Sequence, residues 1–356
     1  MKSPDVLGQH GVGYFSFTAI DSQRGGRSLP VDLWYPVDLK QSHTATIIKY
    51  PLAPGIGMES KVAVEGLPVY PDSQHTLLIF SHGYGGISRQ SVDLMETLAS
   101  HGFIVISPEH TGNSQITNTD TFDDAARNRV PDISFLIDTM IKRNRDTRDL
   151  LYQRIAEEKV GVLGHSFGGM TAIGTAAGWA EAKADSRVAA IASISAVIDS
   201  KKPEDERTSP YGGFSGEQLA TIKVPVLLVG GTKDKDVPIE NNALAFAQMV
   251  QAPRLYNVAI RGANHTHFTN VCSIGEYLID LGIGQELWPT IGANDLINPY
   301  LSTCGEDALP MPMLNRLLNR YVVSFFRHHL LGEAGYGDYL TKEAADREST
   351  IEFSRQ

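Results

Sequence analysis

The chain has 356 residues, 42% hydrophobic and 20% charged, a length that one α/β domain with insertions can fill. Asp plus Glu (41) exceed Lys plus Arg (31), and the net charge of −10 argues against nucleic acid or an anionic membrane as main partner. No run approaches the roughly 18 apolar residues of a membrane span, and MKSPDVLGQH lacks the apolar core of a signal peptide.

In chain order, Tyr14–Asp21 and Ser28–Tyr35 alternate as strands, with Gly25-Gly26 supplying the turn. Residues 40–75 break every pattern with Pro, Gly and Ser, and are expected to be an insertion. Thr76–Phe80 is a short apolar run suited to a strand buried on both faces. A helix follows over Ser91–His101, with Val92, Met95, Leu98 and Ala99 on one face and Gly102 as its cap. Phe103–Ser107 reads as a strand, Ile133–Ile141 as a helix, Val160–Leu163 as a strand and Met170–Ala180 as a helix. Strands are expected at Val188–Ile194, Val224–Val229 and Leu255–Ile260, and helices at Ala243–Val250 and Met313–Leu331. The alternation predicts a single domain over 1–356, with a mainly parallel sheet covered by helices on both faces. Segments 201–222 and 270–310 are candidate lids.

Ligands of such sheets bind beyond the carboxyl ends of the strands, so the residues there carry the chemistry. After Val160–Leu163 comes Gly164-His165-Ser166-Phe167-Gly168, a G-x-S-x-G pattern. A serine there sits on a strained strand-to-helix turn whose flanks must be small. With 33 glycines, chance alone supplies roughly 0.2 such matches, so the strand before it and the helix after it matter more than the motif. After Phe80 comes Ser81-His82-Gly83-Tyr84-Gly85-Gly86, a loop able to aim a backbone N–H at an oxyanion. The expected donors are the N–H groups of Tyr84 and Phe167; His82 lies inside this loop and is expected to be structural. After Val229 comes Gly230-Gly231-Thr232-Lys233-Asp234-Lys235-Asp236, where Asp234 is the preferred acid and Asp236 its competitor. After Ile260 comes Gly262-Ala263-Asn264-His265-Thr266-His267, where His265 is the preferred base and His267 the alternative. The His-x-His spacing admits a metal, but no acid adjoins it in sequence, so neither metal nor organic cofactor is expected. His328-His329 reads as a surface pair. Cys272 and Cys304 are either two thiols or one disulfide; a disulfide would favour a secreted or periplasmic location.

Ile79–Arg89, Leu98–Val105 and Glu109-His110, with Gly164–Gly169 and Gly262–Phe268, resemble the platelet-activating-factor acetylhydrolase family of the plasma type, isoform II. Asp21, Arg24, Arg27 and Trp34-Tyr35-Pro36 look like its bacterial members, often named predicted dienelactone hydrolases. The resemblance covers most of residues 14–270. It implies an α/β-hydrolase fold and a calcium-independent serine esterase for short or modified acyl groups. It makes Ser166 the nucleophile, His265 the base, and Tyr84 and Phe167 the oxyanion donors. One departure stands out. The animal enzymes place the acid after the strand matching Val188–Ile194, where this chain has no carboxylate before Asp199. Gly231-Thr-x-Asp234 instead looks like bacterial cutinases and polyester hydrolases, which assigns the acid to Asp234. Dienelactone hydrolases proper use a cysteine nucleophile, so the serine argues against that activity. A small-molecule, lipid or polyester ester is the expected substrate. An acyltransferase using the same triad, a non-catalytic binding protein on this fold and a peptidase are the alternatives, and the resemblance favours esters.

Overall fold

The computed structural model describes residues 1–53, 55–199 and 209–356. Eleven strands form one sheet: β1 Gly11–Asp21, β2 Arg27–Val37, β3 Ile47–Ala53, β4 Ile56–Val64, β5 His75–Ser81, β6 Ile104–Pro108, β7 Ile155–His165, β8 Val188–Ile194, β9 Val226–Gly231, β10 Leu255–Ile260 and β11 Ile351–Arg355. Their spatial order is β11-β10-β9-β8-β7-β5-β6-β2-β1-β4-β3. The six strands from β10 to β6 run parallel, while β11 at one end and β2 at the other pair antiparallel to them. Among the described residues the α-helices longer than four residues are α1 Val92–Ser100, α2 Phe122–Arg145, α3 Phe167–Ala177, α4 Glu240–Gln248, α5 Val271–Asp280, α6 Ile297–Thr303 and α7 Met311–Leu331.

The sheet is buried on both faces because its central strands are apolar throughout. All seven residues of β5 are buried. Leu77 and Ile79 enter one core with Ile133 and Leu136 of α2 and Ile173 of α3. Leu78 and Phe80 enter the other with Met95 and Leu98 of α1 and Phe325 and Phe326 of α7. The period-two alternation of a strand thus feeds two helix layers. This is the α/β-hydrolase fold, as expected from the alternation of elements.

Several elements differ from expectation. Within 40–75, β3 and β4 prolong the sheet beyond β1; two register shifts and Pro51 had hidden their period. Helix α2 runs over 24 residues rather than nine, with Pro131 inside it and Thr121 capping its start by accepting the N–H of Asp124. Helix α3 starts directly after Ser166 and stops before Gly178 at φ 81°. Of the lid expected at 201–222, residues 201–208 lie outside the described residues. His329 is half-buried against Phe325 and Tyr256, its ring nitrogen 3.1 Å from the Tyr256 hydroxyl, so His328-His329 is not a surface pair. Among the described residues no helix is long and apolar enough to cross a membrane.

A buried carboxyl ties the new edge to a helix. Glu96 of α1 accepts hydrogen bonds from the hydroxyls of Tyr50 on β3 and Ser60 on β4, and Tyr50 accepts one from the indole N–H of Trp34. Burial pushes the Glu96 carboxyl up to about 7, against 4.5 when exposed. The folded chain therefore holds a proton there that the unfolded chain releases. Its stabilising contribution is complete below about pH 4.5 and is lost as pH rises through about 7, a change of about 3 kcal/mol. Denaturant unfolding at pH 5 and pH 8 should show this loss, and Glu96→Gln should remove most of it. A pH-independent difference between wild type and Glu96→Gln would contradict it.

Candidate active site

Strand β7 ends at His165, and α3 begins at Phe167, leaving Ser166 alone to turn the chain. Ser166 takes φ 58° and ψ −121°, a left-handed conformation that costs a non-glycine residue about 1–3 kcal/mol. Its N–H donates to the Ile194 carbonyl at 2.8 Å, and its own carbonyl accepts from Met170 at 3.1 Å. The glycines of the motif are required by contact. A Cβ on Gly168 would lie 1.8 Å from the Ser81 oxygen, and one on Gly164 would lie 2.2 Å from the Gly168 oxygen. The turn can close only with glycine at both places.

The Ser81–Gly86 loop runs beside the serine: a Cβ on Gly83 would lie 3.5 Å from Cβ of Ser166. A buried cation holds this loop from below. Arg129 of α2 is fully buried, and its guanidinium donates to the carbonyls of His82 (2.5 Å) and Gly83 (3.0 Å), to Oγ of Ser81 and to Oδ1 of Asn113. Trans peptides are planar, with C=O and N–H on opposite sides. Fixing the Gly83 carbonyl on Arg129 therefore turns the N–H of Tyr84 the other way, out of the core. The Tyr84 ring is 44% exposed; it stacks on Phe122 and meets the edge of buried Phe167.

The network continues inward with one donor per link. Ser81 Oγ lies 3.0 Å from Nε2 of His110, and Nδ1 of His110 lies 2.9 Å from Asp132. Burial, then the Arg129 charge, pushes His110 down to about 3, so it is neutral and its Nδ1–H donates to the carboxylate. Burial would push the Asp132 carboxyl up, but the Arg27 guanidinium and His110 outweigh it and hold it below its usual range. Burial likewise pushes Arg129 down to about 9, leaving it charged at neutral pH. His82 uses Nδ1 on the Gly83 carbonyl and Nε2 on the His110 N–H, a structural role.

Beyond β9 and β10 the other two residues meet. Nδ1 of His265 lies 2.8 Å from Oδ2 of Asp234, whose side chain is fully buried while that of His265 is 15% exposed. The other oxygen of Asp234 accepts the N–H groups of Asp236 (3.0 Å) and Val237 (2.8 Å). The carboxylate is thus satisfied in place and orients the ring. Asp236 is exposed, and Asp199 lies past β8 with its N–H on Asn241. His267, the alternative base, is buried and closes a capping box with Asn264, with its other nitrogen on the Leu309 carbonyl. His265 comes next to the serine turn through His165, whose ring is 4.5 Å from that of His265 and whose Nε2 is 3.0 Å from the His265 carbonyl oxygen.

Cys272 and Cys304 form a disulfide with Cα atoms 5.5 Å apart. It ties α5 to the end of α6, and residues 298–308 there line a cavity of about 900 Å³ together with Asp234, Asp236 and His265. Asn264 donates to the Ser302 carbonyl at 3.0 Å, so this segment docks on the loop that carries His265. Folding also brings ligand atoms of Asp234, Asp236 and His265 within 4.8 Å of one another, acids that the His-x-His spacing could not foresee. Such a set can hold a divalent cation, but Asp234 has committed both oxygens to His265 and backbone N–H groups. Arg129 and Asp132 went unnoticed in the sequence, and His110 was given no role there. The available signal was weak: charged residues on the inward face of α2.

The chlorophyllase family model matches residues 67–274, more than half of the chain, from just before β5 to just past the base loop. Two cutinases are similar. "Cutinase 2" of Thermobifida cellulosilytica is 24% identical over 184 residues, which is 51% of this chain and 57% of the relative. "Cutinase cut1" of Thermobifida fusca is 24% identical over 184 residues, covering 51% of this chain and 47% of the relative. The chain spans about half the length of the curated relatives it matches.

Replacing Arg129 by Met fills the space but leaves the His82 carbonyl and Oδ1 of Asn113 without the donor that meets them, while the Gly83 carbonyl keeps the Gly86 N–H and His82 Nδ1. Each buried unsatisfied group costs about 1–3 kcal/mol, so a total loss near 3 kcal/mol is expected in denaturant unfolding. Lys should not restore it, because a single ammonium cannot span both carbonyls and Asn113. A loss below about 1 kcal/mol would contradict the clamp.

Proposed function

The chain belongs to the chlorophyllase family, and on that footing we propose that it is a serine hydrolase of carboxylic esters acting through Ser166, His265 and Asp234. The observation that carries the proposal is the 2.8 Å contact of His265 with a fully buried Asp234 carboxylate, beside a serine held in a strained turn. With Nδ1–H donated to Asp234, Nε2 of His265 is the basic nitrogen. It removes the proton of Ser166 Oγ as the oxygen attacks the ester carbonyl. The N–H groups of Tyr84 and Phe167 receive the oxyanion, Tyr84 because its peptide is turned outward and Phe167 because it opens α3. His265 returns the proton to the departing alcohol, and water then releases the acyl group from Ser166 by the same path reversed. No step draws on a metal ion.

The rings of Tyr84, Phe122 and Phe167 gather at the oxyanion loop, and Asp234, Asp236 and His265 line a separate cavity with residues of the 298–308 segment. The aromatic cluster supports an apolar binding side next to the serine. Short or modified acyl esters fit the family resemblance read from the sequence, and the similarity to cutinases adds polyester and lipid-like esters to the proposed substrates. Formation of the Cys272–Cys304 bond supports an oxidising, exported location.

Turnover of p-nitrophenyl butyrate tests the roles. Ser166→Ala should lower kcat by about 10⁶ and Asp234→Asn by about 10⁴, as for other serine hydrolases. Asp199→Asn and Asp236→Asn should stay within about threefold of wild type, and EDTA should leave the rate unchanged. An active Ser166→Ala enzyme, or inactivation by Asp199→Asn with an active Asp234→Asn, would overturn the assignment.

A further inference from the structure

The proposed chemistry needs three loops in register: the oxyanion loop after β5, the serine turn after β7 and the base loop after β10. One side chain reaches two of them, and its neighbour reaches the third. Oε1 of Gln90 accepts the N–H of Gly83 at 2.9 Å, and Nε2 of Gln90 lies 2.9 Å from Nδ1 of His165. Nε2 of His165 lies 3.0 Å from the carbonyl oxygen of His265.

The protons in this chain are determined by its chemistry. A carbonyl only accepts, so Nε2 of His165 must carry a hydrogen. The neutral ring then offers Nδ1 as an acceptor, and only the amide nitrogen of Gln90 can donate to it. That orientation leaves Oε1 for Gly83. Every link has a definite donor, and all point the same way: Gly83 to Gln90, Gln90 to His165, His165 to His265. The chain exists only while His165 is neutral. Burial, then the neighbouring His265, holds its ring well below the usual histidine range. A second proton on Nδ1 would face the Gln90 amide nitrogen donor to donor. The backbone reinforces the brace: Asn270 N–H donates to the Gln90 carbonyl, and Ser91 Oγ donates to the Phe268 carbonyl, each at 2.8 Å.

We propose that Gln90 and His165 are positioning residues that set the spacing between the oxyanion N–H groups, the nucleophile and the base. They act through the backbone of Gly83 and His265 and through the turn that carries Ser166. The inference rests on the roles given above to Ser166 and His265.

Gln90→Met keeps the side-chain length and removes both hydrogen bonds. Misplacing catalytic groups by a fraction of an ångström to 1 Å is costly, so kcat for p-nitrophenyl butyrate should fall about 10–100-fold with KM within about threefold. ¹⁵N-histidine spectra should show His165 as the pure Nε2–H tautomer in wild type and as a mixture in Gln90→Met. Gln90→Glu is the second variant, able to accept from Gly83 but unable to donate to His165. It should also lose kcat, and its His165 should acquire a proton on Nδ1. Kinetics and spectra of either folded variant decide the matter. If kcat stays within twofold of wild type, or only the unfolding temperature falls, the inference is overturned. Ser166→Ala measured alongside separates the two levels. An active Ser166→Ala enzyme removes the underlying assignment, whereas an inactive one with unimpaired Gln90 variants removes this inference alone.

Discussion

The buried guanidinium of Arg129 is the constraint on which the site depends. A fully buried charge is costly unless its donors find partners, and here both terminal nitrogens do, on two backbone carbonyls, a serine and an asparagine rather than a carboxylate, while Nε has none among the described residues. Four of its hydrogen-bonding contacts thus go to neutral groups, three of them on the strand end and loop 81–83. The planarity of the peptide converts that anchoring into the direction of the Tyr84 N–H. A cation beneath the loop dictates which face the loop turns outward.

A buried carboxylate lies one helical turn away. Asp132, three residues on in α2, takes Arg24, Arg27 from β2 and the neutral ring of His110 after β6. The network therefore links the antiparallel strands at one side of the sheet, the helix behind it and the loop at its centre. Around Ser166 a second set of contacts crosses in the other direction, through His165 to the base loop and through the close approach of Gly168 to Ser81. The site is held by backbone contacts from several sides, which is how a strained residue such as Ser166 can persist.

What the sequence made legible was local. Ser166, Asp234 and His265 stand within a few residues of strand ends, in turns whose glycines are demanded by close contact or by positive φ, and the structure brings Asp234 and His265 into contact. The central strands were visible because burial on both faces leaves continuous apolar runs. Arg129 was not legible, because its partners lie 16 to 48 residues away and a lone arginine in a charged helix looks solvated. Gln90 was hidden for the same reason, joining positions 83 and 165. Pro131 masked the length of α2; β3 and β11 were missed because edge strands bury too little to show an apolar pattern, and β4, paired inside β3, is only partly buried. Only in three dimensions do Asp234 and Asp236 differ, one carboxylate being buried on His265 and the other exposed.

The central claim is that Ser166 is the activated nucleophile. Its most direct test is labelling of the native chain with a fluorophosphonate, followed by digestion and mass spectrometry of the adduct. The account predicts one adduct, on the Ser166 peptide, abolished by Ser166→Ala and by prior heat denaturation. A native chain that takes up no label, or that carries it on another serine, would contradict the account.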